Sequence, residues 1–207
     1  MQVCSTTTDV FTTPVTLLDG LLEYYPAAIE QADLWQHQLR ETVPWQQDTI
    51  TIYGRQQRIP RLQSWHGDDD ALYQYSGTYL IPKPWTTELL ALKAMLPPFG
   101  LSRCNSVLCN LYRSGQDSMG WHSDDEPELD TQSPIVSISL GCERDFAVRR
   151  RGETRMHSKL RLQHGSVLVM QPAFQQYWQH SLPKRATVHG ERINLTFRAV
   201  CNRVVSA

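Results

Sequence analysis

Apolar and polar residues alternate through most of the second half of this chain. After Gly100 the runs SVLCNLY, PIVSISL, DFAVRR, KLRLQ, SVLVM and INLTFRAV follow one another, separated by Gly, Pro, Asp or Ser clusters. Short runs with a period of two and turn residues between them read as strands of a sandwich or jelly roll. Upstream, DTITIYGRQQRIP (48–60) alternates and turns at Gly54, which reads as a hairpin, and the Tyr-, Thr- and Leu-rich stretch 72–81 reads as further strand. Helical spacing occurs twice. From Pro26 to Glu41, residues Ile29, Ala32, Leu34, Trp35 and Leu39 form an apolar stripe, with Pro26 suited to a first turn. From about Thr86 to Leu96 a second helix is expected, capped by Thr86, favoured by Glu88 near its positive end and stopped by Pro97-Pro98. The expected class is α+β: a jelly-roll β core with two N-terminal helices packed on one outer face.

The 207 residues suffice for one domain with a single core. Residues 1–20 are Thr-rich with little periodicity and form a candidate disordered segment, leaving 21–207 as one domain. No apolar run reaches the roughly eighteen residues of a membrane span, and the N-terminus lacks a basic start followed by an apolar stretch, so no secretory signal is expected. These features point to a cytoplasmic protein, or a nuclear one in a eukaryote. Cys4, Cys104, Cys109, Cys142 and Cys201 are odd in number and form no C-x-x-C pair, which argues against a disulfide framework or a thiolate zinc knot. With a net charge of −1, nucleic-acid binding would have to use a local patch. Two basic clusters exist, Arg149, Arg150, Arg151 and Arg155 in one segment and Arg55, Arg58 and Arg61 in another. Taken alone, each reads as a solvated loop.

His122 and Asp124 are two apart, so in an extended segment both face one side and can converge on one ion. His180, ahead of the last β run, is the best third ligand. Two imidazoles and a carboxylate leave three cis positions open on an octahedral metal, the facial arrangement of non-haem iron(II) oxygenases. Zinc would accept the same set. His37, His66, His157, His164 and His189 have no such spacing and read as structural.

The segment from Arg192 to Arg198 discriminates further. Arg192, Asn194, Thr196 and Arg198 share one face of the strand and Ile193, Leu195 and Phe197 the other. Two readings fit the strand alone: an edge with surface charges, or the wall of an internal anion site in which two guanidinium forks approach the ends of a dicarboxylate. Asn110 and Tyr112 form another same-face pair and offer an amide and a phenol to such a diacid. A zinc hydrolase has no need of this second constellation, whereas an oxygenase using 2-oxoglutarate does.

With N-x-Y (Asn110, Tyr112), H-x-D (His122, Asp124), the late His180 and R-x-N-x-T-F-R (Arg192 to Arg198) in this order, the chain resembles the AlkB family of nucleic-acid dealkylating dioxygenases over 105–198, with a weaker match over 51–85. The resemblance implies a double-stranded β-helix with a substrate lid at about 50–85 and a catalytic core at about 104–201. It implies iron(II) held by His122, Asp124 and His180. Arg192, with Asn110 and Tyr112, would bind the distal carboxylate of 2-oxoglutarate; Arg198, helped by Asn194, would hold the end that chelates iron. Tyr73-Gln-Tyr75-Ser-Gly77 resembles the family's lid, with Tyr75 stacking on a flipped base opposite the imidazole of His122 and Tyr73 beside it. Glu126 stands where the family has an acid at the base edge. Tyr53 stands where duplex-repairing members carry an aromatic wedge.

The activity so implied is oxidative demethylation of 1-methyladenine and 3-methylcytosine in DNA or RNA. It consumes O2 and 2-oxoglutarate and releases formaldehyde, succinate and CO2, by a monomer without membrane contact. Arg149, Arg150, Arg151 and Arg155 would contact phosphate. Alternatives are a dioxygenase acting on RNA or protein, a catalytically silent nucleic-acid-binding module, and a zinc hydrolase.

Overall fold

The computed structural model describes residues 13–52, 54–75 and 78–201, with only the backbone described for 50–52, 73–75 and 78–80. In chain order the elements are β1 (Val15–Leu17), β2 (Leu22–Tyr25), α1 (Ala32–Thr42), β3 (Thr49–Ile52), β4 (Arg55–Arg58), β5 (Leu62–Gly67), β6 (Tyr73–Tyr75), β7 (Thr78–Leu80) and α2 (Thr87–Lys93). There follow a 3-10 turn (Pro97–Phe99), β8 (Ser106–Tyr112), β9 (Met119–His122), β10 (Ile135–Gly141), β11 (Arg144–Arg150), β12 (Ser158–Leu162), β13 (Ser166–Met170), α3 (Pro172–Tyr177), β14 (Trp178–Leu182) and β15 (Arg192–Arg198). None of these helices is long and apolar enough to cross a membrane.

Two antiparallel sheets dominate. The larger has the order β1-β2-β13-β10-β15-β8-β5 and the smaller β12-β11-β14-β9, while β3-β4 and β6-β7 are separate hairpins. The strand alternation explains how the larger sheet buries both faces. Ile193, Leu195 and Phe197 of β15, Val136, Ile138 and Leu140 of β10, and Val107, Cys109 and Leu111 of β8 join one core with Leu39 of α1 and Leu89 and Leu92 of α2. The opposite face meets the smaller sheet, where Leu108, Leu168 and Met170 pack with Phe146, Val148, Leu162 and Trp178. The polar residues of β15 point into this second space.

The first helix begins at Ala32, later than its apolar stripe suggests. Ala27 and Gln31 adopt left-handed backbone, with φ of 52° and 53°, and Ile29 donates its N–H to Gly165 O at 2.9 Å. That bond to the turn before β13 holds 26–31 out of helix. The second helix starts as expected, its Thr86 Oγ1 accepting from Leu89 N at 3.3 Å, but stops at Lys93. Within the Thr-rich first twenty residues, Val15–Leu17 pairs with β2, and β2 pairs with β13.

The loop after β8 and the loop after β14 are tied to each other. Gly115 N donates to Val188 O and Arg185 N to Gly115 O, each at 2.7 Å. A Cβ on Gly115 would stand 1.7 Å from Arg185 O, so only glycine permits this approach. Arg144, 1% exposed, donates Nη2 to both Asp117 O (2.8 Å) and Pro183 O (2.7 Å) and clamps the same loops from inside.

Candidate active site

Register brings the chemical residues together. β9 pairs with β14 so that His122 and His180 are cross-strand partners. Asp124 follows just beyond β9. His122 Nε2 lies 3.8 Å from Asp124 Oδ1 and His180 Nε2 3.7 Å from Asp124 Oδ2, and the ligand atoms of all three lie within 4.8 Å of one another. His122 Nδ1 is 2.9 Å from Gly120 O, a carbonyl that can only accept. The proton therefore sits on Nδ1 and the Nε2 lone pair is available to a metal.

His180 is enclosed against the rings of Phe146 (centroids 5.0 Å apart) and Phe174 (5.9 Å). Burial, then the nearby His122, pushes its pKa down to about 3, so the ring stays neutral as a ligand must. Burial alone would raise the Asp124 carboxyl, but the charge of Arg198 outweighs it and holds the carboxyl below the usual range. Two imidazoles and one ionised carboxylate converging on one pocket fit a divalent metal.

The segment that carries Asp124 is tied residue by residue to β14, to α3 and to the turn after β11. Ser123 Oγ donates to Trp178 O at 2.9 Å, Asp124 N donates to Gln175 Oε1 at 3.0 Å, and Asp125 pairs with Arg151 at 2.6 Å. The short helix ahead of β14 thus orients both the H-x-D segment and His180.

Beside the His122, Asp124 and His180 cluster, Asn110, Tyr112, Arg192, Asn194 and Arg198 line a pocket between the sheets. Pairing of β15 with β8 sets Arg192 opposite Tyr112 and Asn194 opposite Asn110. Arg192 is 1% exposed and its guanidinium lies 5.4 Å from the Tyr112 ring centroid. Its Nη2 donates to Ser139 Oγ at 2.9 Å, but Nε and Nη1 are buried with no hydrogen-bond partner. Burial pushes its pKa down to about 10. A buried guanidinium with two idle donors is costly unless an anion arrives, and a carboxylate end of a five-carbon diacid supplies the matching acceptors. Arg198 instead donates Nη2 to Asp124 Oδ1 at 2.7 Å. The amide nitrogen of Asn194 is engaged on β10, with Ser137 Oγ at 2.9 Å and Ile138 O at 3.2 Å.

The other sequence candidates divide. Glu126 lines a second pocket, whose wall of Asp124, Met170 and Arg198 is shared with the first. Tyr73 and Tyr75 stand on β6, with side chains outside the described residues, as is Tyr53 altogether. In the basic segment, Arg149 stacks over Trp121 (4.5 Å) and donates to Gln179 Oε1 (3.0 Å). Arg150 lies over Trp178 (4.8 Å), Arg151 is engaged with Asp125, and Arg155 is exposed on the turn between β11 and β12.

Four residues escaped the sequence reading. Ser137 and Ser139 belong to the site face of β10, and the alternation of Val136, Ile138 and Leu140 was the available signal. Gln175 on α3 and Arg61 before β5 gave none, Arg61 being grouped with solvated arginines although it is 3% exposed.

Residues 14–198 match the 2OG-Fe(II) oxygenase superfamily. A protein from Bos taurus named DNA oxidative demethylase ALKBH2 is 39% identical over 158 residues, which is 73% of this chain and 57% of that protein. The human alpha-ketoglutarate-dependent dioxygenase alkB homolog 3 is 37% identical over 187 residues, 85% of this chain and 65% of its own length. The chain thus spans about three-fifths of the length of these curated relatives. The solved structure of OsALKBH1 superposes with a TM-score of 0.62 at 19% identity, covering 90% of this chain and 100% of that one. The chain belongs to the 2OG-Fe(II) oxygenase superfamily and, within it, to the AlkB family.

Proposed function

We propose that the protein is an iron(II)- and 2-oxoglutarate-dependent oxidative demethylase that restores 1-methyladenine and 3-methylcytosine in DNA or RNA, releasing formaldehyde, succinate and CO2. The observation that carries the reading is the buried Arg192, with two idle donors, in the pocket that also holds the His122, Asp124 and His180 cluster. Bound iron with 2-oxoglutarate and O2 would supply the oxidising power for attack on an N-methyl C–H bond. The chain's own part is to hold the diacid, orient the base and exclude water.

In this reading His122, Asp124 and His180 bind the metal. Arg192, Asn110 and Tyr112 take the distal carboxylate of the diacid. Arg198 takes its chelating end, with Asn194 bracing the wall through β10. The methyl groups lie on the base-pairing edge, so the base must leave the stack. Tyr75 stacks on it opposite His122, with Tyr73 alongside, and Glu126 accepts from its exocyclic amino group. Tyr53 fills the gap in a duplex. Arg149, Arg150, Arg151 and Arg155 contact phosphate, the exposed Arg150 and Arg155 most directly.

The architecture is a double-stranded β-helix with both N-terminal helices on one outer face, a reading supported by the core shared between α1, α2 and the larger sheet. Residues 21–207 act as one domain, with the lid at 50–85 and the core at 104–201. The protein works as a monomer in the cytoplasm, or in the nucleus of a eukaryote.

The experiment is turnover of 1-methyladenine oligonucleotides, single- and double-stranded, DNA and RNA, with a methylated peptide as control, reading formaldehyde and succinate with and without 2-oxoglutarate. Formaldehyde should require both iron(II) and 2-oxoglutarate. Asp124→Ala should abolish turnover while sparing most DNA binding. Turnover that survives this change, or that needs zinc instead, overturns the reading.

A further inference from the structure

Arg61 lies directly before β5, and unlike the exposed Arg55 and Arg58 it is buried. Its Nε donates to Asn110 Oδ1 at 2.8 Å and its Nη2 to Gln63 Oε1 at 3.3 Å. Gln63 then donates Nε2 to Asp48 Oδ2 at 2.6 Å. The register of β5 with β8 makes Gln63 the cross-strand neighbour of Asn110, so Asp48, Gln63, Arg61 and Asn110 form a continuous row of four side chains from the root of the β3–β4 hairpin to the pocket.

A guanidinium has donors and no acceptor. Whatever atom of Asn110 faces Arg61 must therefore be the amide oxygen, and Nδ2 must point away from Arg61. Nδ2 has no acceptor among the described residues, while Asn110 itself lines the pocket beside Asn194 and Arg192. With Arg61 removed, the amide could turn over and present its oxygen to the pocket. An oxygen there would repel a carboxylate where an N–H would bind it.

We propose that Arg61 is a positioning residue for the diacid site: it fixes the Asn110 amide so that Nδ2 donates to the carboxylate of 2-oxoglutarate. This rests on the reading of the pocket given above. Asp48, through Gln63, holds the Arg61 guanidinium in its turn, so the amide's orientation is set from the base of the hairpin that precedes β5.

The test is 2-oxoglutarate binding to the Mn(II)-loaded full chain without O2, by calorimetry, for the parent, Arg61→Met, Asn110→Ala and the double variant. Arg61→Met should weaken binding about tenfold, equivalent to about 1.4 kcal/mol, and should cost nothing further in the Asn110→Ala background. In turnover, KM for 2-oxoglutarate should rise while kcat at saturation and KM for the methylated oligonucleotide hold, a split that general loosening of the fold would not give. Asp48→Asn leaves the buried cation in place and should give a smaller loss, again absent in the Asn110→Ala background. It carries the test if Arg61→Met fails to fold. A parent protein that binds no 2-oxoglutarate overturns the pocket reading and this inference together. A parent that binds it, with Arg61→Met or Asp48→Asn equally tight or additive with Asn110→Ala, overturns this inference alone.

Discussion

Arg198 and Asp124 form an enclosed ion pair, Nη2 to Oδ1 at 2.7 Å with each side chain 3% exposed. The same carboxylate faces both imidazoles, so in the proposed site one residue would be both metal ligand and counter-ion to Arg198. The proposed metal and co-substrate sites would therefore be electrostatically one unit. Removing one partner of a buried pair strands the other, which typically costs about 3–5 kcal/mol, whereas replacing both is far gentler. Metal-free Asp124→Ala should accordingly lose about 3 kcal/mol of stability in urea, and Asp124→Ala combined with Arg198→Met should recover most of it. Equal stability of parent and single variant would mean that the pair does not hold the apo-protein together.

Arg192 behaves oppositely. Its idle Nε and Nη1 make it a burden on the ligand-free fold. Arg192→Met should leave ligand-free stability unchanged or raise the melting temperature, while raising KM for 2-oxoglutarate by about two orders of magnitude, as expected for a lost charge-assisted hydrogen bond of up to about 3 kcal/mol. A melting temperature that falls together with affinity would show Arg192 to be structural.

On the β11–β12 hairpin the four arginines are not equivalent. Arg151 is engaged with Asp125, and Arg149 with Gln179 and Trp121, leaving Arg150 and Arg155 the freer charges for phosphate. Neutralising that pair to Ala should make the plot of log affinity against log salt shallower by about 1.4 for a single strand, at about 0.7 per phosphate contact. Fluorescence anisotropy over a salt series reads this directly. An unchanged slope removes the hairpin from the interface.

Asp117 caps the loop that Gly115 seals. Burial works to raise its carboxyl, but two side-chain hydrogen bonds and one backbone hydrogen bond from Arg113 outweigh it and hold the pKa below the usual value. A depressed folded value stabilises the protein above the unfolded pKa of about 3.9, and that contribution disappears as pH falls through the folded value. Asp117→Asn should therefore lower stability at pH 7 and make the decline toward pH 3 less steep. Parallel pH profiles for the two proteins would refute the assignment.

The reach of the sequence is clearest in β15, where alternation alone separated Arg192, Asn194, Thr196 and Arg198 from Ile193, Leu195 and Phe197. Both faces of that strand are buried, one under the helices and one between the sheets. The i, i+2 spacing of His122 and Asp124 also indicated a shared side, although the strand ends at His122 and the bonds from Gln175 and Trp178 hold the rest. β5 was hidden because buried Gln63, Ser64 and His66 break any apolar signature. Their partners, such as Pro84 O for His66 and Asp48 for Gln63, are distant in sequence. Arg61 was misjudged for the same reason: its environment is made by β8, which no local window contains.

β15 lies between β10 and β8 in the larger sheet, paired with β8 from Arg192 to Arg198 and with β10 from Arg192 to Phe197. A slip of a single residue in either pairing would turn every side chain to the opposite face. Two guanidinium groups would then enter the oily layer under the helices, and isoleucine, leucine and phenylalanine would fill the pocket between the sheets. No intermediate register offers a partial site. The register that buries the apolar face of β15 under the helices is thus the same one that lines the pocket with Arg192, Asn194 and Arg198.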